Sequence, residues 1–345
     1  MAKPTTKDLA KAAGVSLATI DRVLNARSGV RKATIERVQK AIKATGFVRD
    51  IAAANLARSK EYRLVFLLPA HDDEFIDLVR GSIAEANTSM AHERTNVSII
   101  RASSNDPHMI GHALDNLSSE LVDGVAIMAP ETPQVRDSIA RLNARGIAVV
   151  AFVSHQLTAQ SAYYVGINNE AAGRTVGQLM ARFTGERQGS VLVLTETMQS
   201  RDSQERRLGF DNIMGKYAPR LSICASMESY GDPQRAARIV KAALQSQPSV
   251  VGIYLMHHNT RETMRAINAH DTLQKTVIIG HELTPQTRAQ LTKGTMDAVI
   301  TQDVGHLVRS SIRLLRAKAA RVETLASQER IRIEIILREN MPENT

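Results

Sequence analysis

The sequence predicts an α/β protein, built as an N-terminal three-helix head with a helix-turn-helix and a two-lobed, doubly wound body. Three observations lead there. From Arg63 onward, short and nearly continuous apolar runs alternate with amphipathic stretches of helical length, the pattern of parallel sheets covered on both faces. Near the start, the stretch AAGVSLATIDRVLN, Ala12 to Asn25, sets a glycine and a serine between two short helical patterns. The excess basic charge is confined to the first sixty residues.

In the head, Thr6 is placed to cap a first helix over Lys7 to Ala13, and Gly14 supplies the turn. Ser16 then caps a second helix whose Ile20, Val23 and Leu24 share one face. The loop NARSGVRK leads to a third helix from about Thr34 to Thr45, with Ile35, Val38 and Ile42 inward and Gly46 at its stop. Three such helices make one small core. The segment RDIAAANLARSK that follows is rich in helix formers but only about three turns long, a length at which an isolated helix is marginal in water. It reads as a linker that becomes helical when something holds it.

The body's apolar runs are RLVFLLP, VSIIR, VDGVAIMA, IAVVAFV, YYVGI, SVLVLT, LSICAS, VVGIYLM, TVIIG and DAVITQ. Ten strands are too many for one typical small sheet, and the break near Asn168 divides them into two lobes of similar size. The expected organisation is therefore a helix-turn-helix unit at 1–49, a linker at 50–61 and a body at 62–345. Within the body, lobe 1 takes about 62–167 and 302–325, and lobe 2 about 168–301 and 326–345.

Composition limits what the chain does. With 345 residues, 43% hydrophobic and 23% charged, it has the make-up of an ordinary globular protein. The single Cys224, flanked by apolar residues, excludes an internal disulfide framework and reads as a plain buried thiol. MAKPTTKDLA lacks the apolar core of a signal peptide, and runs such as IAVVAFV fall far short of the ~20 residues of a membrane span. A cytoplasmic protein without membrane association is expected. Residues 1–60 hold thirteen Lys and Arg against four acids, a surplus equal to the whole chain's net charge of +9. The rest is neutral, so the footprint of polyanion binding lies at one end.

Catalytic and cofactor signals are absent. HDDE (His71 to Glu74) and MHHN (His257, His258) lack a spaced third ligand, so no metal site is expected. No G-x-G-x-x-G, Walker loop or nucleophile elbow occurs, so no cofactor and no enzyme activity are expected. The chain reads as a binder.

In a helix-turn-helix the second helix enters the major groove with its N-terminal residues at base edges. That geometry directs Leu17, Ala18 and Arg22 toward bases and sets Ser16, Thr19 and Asn25 near phosphates. Arginine suits a bidentate contact with guanine, and small apolar groups suit a thymine methyl. At these residues the chain resembles a known family. TTKDLAKAAGVSLATIDRVLN, then RKATIERVQKAIKATGF, then AAANLARSK closely resemble the N-terminal unit of the lactose-repressor (LacI/GalR) family, and the body resembles that family's periplasmic-binding-protein-like core. The resemblance implies a transcriptional regulator, a repressor in the first instance, acting as a homodimer or tetramer on a near-palindromic double-stranded operator. It adds Thr6, Asp21 and Arg31 to the DNA-contacting set. It also implies that the linker is a hinge helix that pairs with its dimer mate in the minor groove, where Leu56 wedges open the central base step. The family usually has serine where this chain has Asp21; the acid either pairs with Arg22 or Arg27 or accepts from a cytosine amino group.

For the body, the resemblance implies an allosteric effector between the lobes: a sugar, a polyol or a sugar acid, with a phosphorylated metabolite also open. HDDEFIDLVRG presents Asp73 and Phe75, INNE presents Asn169, SRDSQERRLGF presents Arg201 and Gln204, IGHEL presents His281 and Glu282, and AVITQD presents Gln302. Two departures stand out. AFVSHQ puts Val153 and Ser154 where sugar-binding relatives carry an Asp-Arg pair, and the second-lobe arginine falls on Gln204 by one alignment, with Arg206 one helical position away. There is no Trp, so stacking on a sugar face would rest on Phe75, Phe152 or Tyr254. Two rival readings are an extracytoplasmic solute-binding protein, which has no use for the basic head, and a sugar-processing α/β enzyme, which would show turnover.

Overall fold

The computed structural model describes residues 4–24, 28–47, 61–70, 73–103, 106–156, 163–247, 249–257, 260–270, 276–322, 324 and 329–343. Two compact units divide the chain, Met1–Lys60 and Glu61–Thr345.

The head contains α1 (Thr6–Ala13), α2 (Leu17–Leu24) and α3 (Lys32–Thr45). Thr5, not Thr6, caps α1. Its hydroxyl accepts from the Asp8 N–H at 3.3 Å while the Asp8 carboxylate accepts from the Thr5 N–H at 2.8 Å. This reciprocal capping box needs a side-chain acceptor three residues on; Thr5 has Asp8 there, whereas Thr6 would face Leu9. Gly14 ends α1 at φ 64°, a left-handed conformation that glycine adopts without steric cost. Ser16 Oγ then accepts from the Thr19 N–H at 3.2 Å and caps α2. α3 starts two residues before the expected Thr34 and stops at Gly46. Leu9, Ile20, Val38 and Phe47 form the core; Ile35, expected inward, is half-buried.

In the body, β1 (Tyr62–Pro69), β2 (Thr95–Ala102), β3 (Gly124–Ile127), β4 (Ala148–Phe152) and β5 (Tyr163–Val165) form a parallel sheet in the order β2-β1-β3-β4-β5. A second sheet contains β6 (Gly189–Thr195), β7 (Leu221–Glu228), β8 (Val250–Leu255), β9 (Val277–His281), β10 (Ala298–Thr301) and β11 (Glu334–Ile336), in the order β11-β10-β9-β8-β6-β7. Each of the ten apolar runs becomes a strand. The expected total of ten is one short, because β11 adds an antiparallel edge with Val299 opposite Ile336. Only one of its three residues is buried, so its sequence offers no apolar run.

Helices α4 (Glu74–Ser89), α5 (Pro107–Asp115), α6 (Pro133–Ala144) and α12 (Val304–Ala320) belong with the first sheet. With the second go α7 (Asn169–Thr184), α8 (Arg201–Tyr217), α9 (Pro233–Ser246), α10 (Arg261–Asn268) and α11 (Pro285–Lys293). The chain thus passes between lobes after β5, after β10 and again before β11. One close approach positions the site. α7 and α8 meet at Gly173 and Gly209, where an added Cβ would lie 1.9 Å from the Arg206 carbonyl oxygen and 2.0 Å from that of Glu170. Only glycine at both places lets the start of α7 approach Arg206.

Candidate functional site

Both sheets share one strand order, and in such sheets ligands bind beyond the carboxyl ends of the strands where the order reverses. A cavity of about 160 Å³ lies there, between the lobes. Pro69, Phe75, Met128, Ala129, Pro130, Val153 and Ser154 line it from lobe 1, and Thr195, Glu196, Thr197, Ser200, Asp202, Ser203, Arg206, Met256, His257 and Glu282 from lobe 2. It is smaller than the roughly 300–1,000 Å³ of drug-sized pockets, which suits a compact solute.

Arg206 is buried and held on two sides. Its Nε donates to Asn169 Oδ1 at 2.8 Å and its Nη1 to the Met256 carbonyl at 3.0 Å. Across the cavity wall, the buried Glu282 accepts from Gln302 Nε2 at 2.9 Å and from Thr301 Oγ1 at 3.3 Å. Behind it, His281 Nε2 and the Tyr254 hydroxyl are 2.8 Å apart; burial pushes the Tyr254 phenol well above its ordinary range, so it stays protonated.

Two lining residues are held in the left-handed region at the ends of β4 and β9: Val153 at φ 61° and Glu282 at φ 61°. For a β-branched residue that conformation is an outlier, and backbone strain of this kind clusters at ligand clamps. The loops AFVSHQ and IGHEL thus occupy equivalent places in the two lobes.

Of the effector residues expected from sequence, Phe75 and Glu282 line the cavity. Asn169 and Gln302 stand behind it as the groups that orient Arg206 and Glu282, and His281 lies deeper against Tyr254. Asp73 caps α4, its Oδ1 accepting from the N–H groups of Phe75 at 2.7 Å and Ile76 at 3.3 Å. Arg201 and Gln204 lie outside the lining. Arg201 pairs with Glu205 at 2.8 Å and Glu131 at 3.6 Å, and Gln204 Nε2 donates to the Met198 carbonyl. The arginine at the cavity is Arg206, buried on the face of α8 that packs on α7, whereas Gln204 is exposed on the outer face. Phe152 and Tyr254, considered for stacking, are wholly buried core residues, which leaves Phe75 as the aromatic lining group among the described residues. Sequence reading passed over Thr195 to Thr197, Ser200, Asp202, Ser203 and His257. For all but His257 the signal was the polar run TETMQSRDS, which begins on the last residue of the strand SVLVLT.

Two ion pairs join the lobes beside the cavity. Glu74 of lobe 1 accepts from Arg261 Nη2 at 2.7 Å and from the Gln286 N–H at 3.0 Å, both of lobe 2. Glu131 and Arg201 form the second pair. Burial alone would raise the Glu74 carboxyl, but hydrogen bonds from Thr284, Gln286 and Arg261, with the Arg261 charge, hold it below the usual range.

The head carries a separate concavity of about 310 Å³, lined by Val15, Ser16, Thr19, Arg22, Gly29, Val30, Arg31, Thr34 and Arg37. Three guanidinium groups and three hydroxyls around one hollow offer the donor chemistry that an anion would take. Ser16, Thr19, Arg22 and Arg31, expected at the DNA, share this lining with Thr34 and Arg37. Thr6 and Ala18 are exposed, and Leu17 is 47% exposed although apolar. Asp21 is half-buried and already engaged. Asn25, Arg27 and Leu56 lie outside the described residues, as do His71 and His258.

No group of three or more His, Cys, Asp or Glu that could hold a metal occurs among the described residues. Nor is any described helix long and apolar enough to cross a membrane.

Residues 64–321 match the family described as periplasmic binding protein domain, and residues 5–50 match the bacterial regulatory proteins, lacI family. Catabolite control protein A of Staphylococcus aureus (strain Mu50 / ATCC 700699) is 25% identical over 248 residues, 70% of this chain and 71% of that protein. Among solved structures, GanP, a glucose-galactose binding protein from Geobacillus stearothermophilus, superposes with a TM-score of 0.73 at 20% identity, covering 82% of this chain and 100% of that one. A structure described as a LacI transcriptional regulator from Bacteroides fragilis superposes with a TM-score of 0.71 at 18% identity, covering 81% and 98%. These likenesses concern the fold.

Proposed function

Since the chain belongs to the LacI family of bacterial regulatory proteins and has a periplasmic-binding-protein domain as its body, we propose that it is a cytoplasmic repressor whose operator binding is set by a small metabolite held between its lobes. Family membership makes it a DNA-binding regulator, not an enzyme. The observation that carries the finer reading is the presence in one chain of an arginine-lined hollow on the helix-turn-helix and an interlobe cavity walled by hydrogen-bonding groups.

In this reading two protomers pair, and two heads bind a near-palindromic operator whose symmetry mirrors the dimer. Arg22, Leu17 and Ala18 face base edges, while Ser16, Thr19, Thr34, Arg31 and Arg37 hold phosphate. The linker at 50–61, of which only Glu61 lies among the described residues, carries Leu56 to the minor groove. The metabolite prefers one lobe arrangement, and that preference is all that coupling requires. A sugar or polyol fits the cavity: Glu282, Asp202 and the Ser and Thr hydroxyls accept from or donate to its hydroxyls, and Phe75, Met128 and Met256 cover its apolar face.

The test is operator selection from a random duplex pool, followed by binding of the selected duplex with and without sugars that raise the protein's Tm. Selection of a near-palindrome whose affinity changes with such a sugar is expected. No enrichment of any duplex, or enrichment insensitive to every stabilising sugar, overturns the proposal.

A further inference from the structure

We infer that the interlobe cavity takes a neutral polyhydroxylated effector, or one bearing an amino group, and rejects sugar acids and sugar phosphates; this rests on the reading of that cavity as the effector site. The charged groups of the described lining are unequal in number. Three are carboxylates, Glu196, Asp202 and Glu282, and one is a guanidinium, Arg206. Even with His257 counted as a cation, the acids outnumber the bases.

Two of the five guanidinium N–H donors of Arg206 are already used within the protein. Recognition of a carboxylate or phosphate by arginine is strongest through two parallel N–H donors of one edge. Here Nε is committed to Asn169 Oδ1 and Nη1 donates to the Met256 carbonyl. Asn169 is itself buried at the start of α7, where the Gly173–Gly209 approach brings the two helix backbones together. An anion would meet Arg206 through what remains of its Nη groups while facing three carboxylates in a small, half-closed space.

The carboxylates suit a different guest. An ionised Asp or Glu only accepts hydrogen bonds, and the oxygens of Glu282 already draw in neutral donors, Gln302 Nε2 and Thr301 Oγ1. Glu282 lines the cavity from a left-handed backbone that few residues adopt. Glu196 and Asp202 sit on the loop that follows β6 and at the start of α8, on the same wall. Three acceptors of this kind call for hydroxyl or ammonium donors. The apolar counterpart, Phe75 with Met128, Val153 and Met256, matches the C–H face of a ring or chain.

The test is a thermal-shift panel on the full chain: neutral pentoses, hexoses and polyols and the amino sugars, each beside its own uronic or aldonic acid and its own phosphate ester. A Tm rise with at least one neutral or amino member, and none with its acid or phosphate at tenfold higher concentration, is the expected result. A rise with an acid or phosphate ester equal to or larger than that of its neutral parent overturns the inference, and so does a panel in which no neutral or amino member raises Tm. A second measurement uses Glu196→Gln with Asp202→Asn. This variant should narrow the gap between a bound neutral sugar and its uronate by tenfold or more in Kd, and an unchanged gap in a variant of normal unliganded Tm overturns the role of these two carboxylates. DNA binding is read separately. Neutral sugars that raise Tm where their acids and phosphates do not, yet all leave operator affinity unchanged, support the cavity's charge preference and overturn the regulatory reading alone.

Discussion

Single residues decide the most informative features of both sites. Val153 sits at φ 61° with its side chain buried against the cavity. Glycine there would relieve roughly 1–2 kcal/mol of left-handed strain but lose about 1.5–3 kcal/mol of apolar burial. Val150, fully buried in the middle of β4, has the burial term without the strain. Val153→Gly should therefore lower Tm less than Val150→Gly, and equal losses in thermal denaturation would show that no strain is stored at 153. On the head, Arg22→Ala should cost roughly 1–3 kcal/mol of operator affinity and relax specificity at one base pair, read by binding to a set of singly substituted operators. An equal loss on every sequence would contradict a base-reading role. Such positions were only partly legible beforehand. The helix-turn-helix pattern grouped Ser16, Thr19 and Arg22, which do line one hollow, but Arg206 could not be told from Gln204 by spacing alone. What separates them is the phase of α8 against α7, set by the contact at Gly173 and Gly209. Thr5 and Thr6 were likewise separated by the acid at position 8, a local rule available in the sequence.

At the scale of elements, apolar runs predicted the ten strands because a strand buried on both faces has a sequence without polar interruption. β11 escaped, since a three-residue antiparallel edge with one buried side chain has no such signature. The interlobe clasp escaped for another reason: Glu74, Arg261 and Gln286 are far apart in sequence and carry no motif. Its energetics are modest. Arg261 is largely exposed, and an ion pair of that kind contributes about 0.2–1 kcal/mol. Glu74→Gln should therefore weaken sugar binding by at most about fivefold at neutral pH, measured by titration calorimetry, with unliganded Tm little changed. The pH dependence follows from the lowered Glu74 carboxyl. Lobe-lobe attraction from this group is fully present above the ordinary glutamate range and is lost as pH falls through the lowered value. The variant and the parent should therefore converge in sugar affinity only in acid. Convergence at neutral pH would mean that the pair contributes nothing to closure.

At the scale of the whole molecule, the charge distribution makes a prediction independent of any single contact. The chain's entire surplus of nine positive charges lies in residues 1–60, and Arg22, Arg31 and Arg37 converge on one hollow per head. A dimer would bring six such guanidinium groups to the operator. With Arg22 at base edges, Arg31 and Arg37 leave four phosphate-neutralising groups per dimer; log K should fall with log salt at a slope of about −0.9 per contact, so a slope of about −3.6 is expected from them. Arg37→Ala should make it shallower by about 2 per dimer. The neutral body should bind DNA at no salt concentration in that range, which a chain beginning at Glu61 would test. The allosteric proposal carries a stricter demand. If a sugar changes operator affinity by some factor, the operator must change sugar affinity by the same factor, because the coupling free energy belongs to both ligands. Titrating the sugar into free protein and into the protein–operator complex measures that second factor directly. Unequal factors would mean that sugar and operator do not bias one shared equilibrium of the dimer, and the lobe-closure account of regulation would fail even with both binding sites intact.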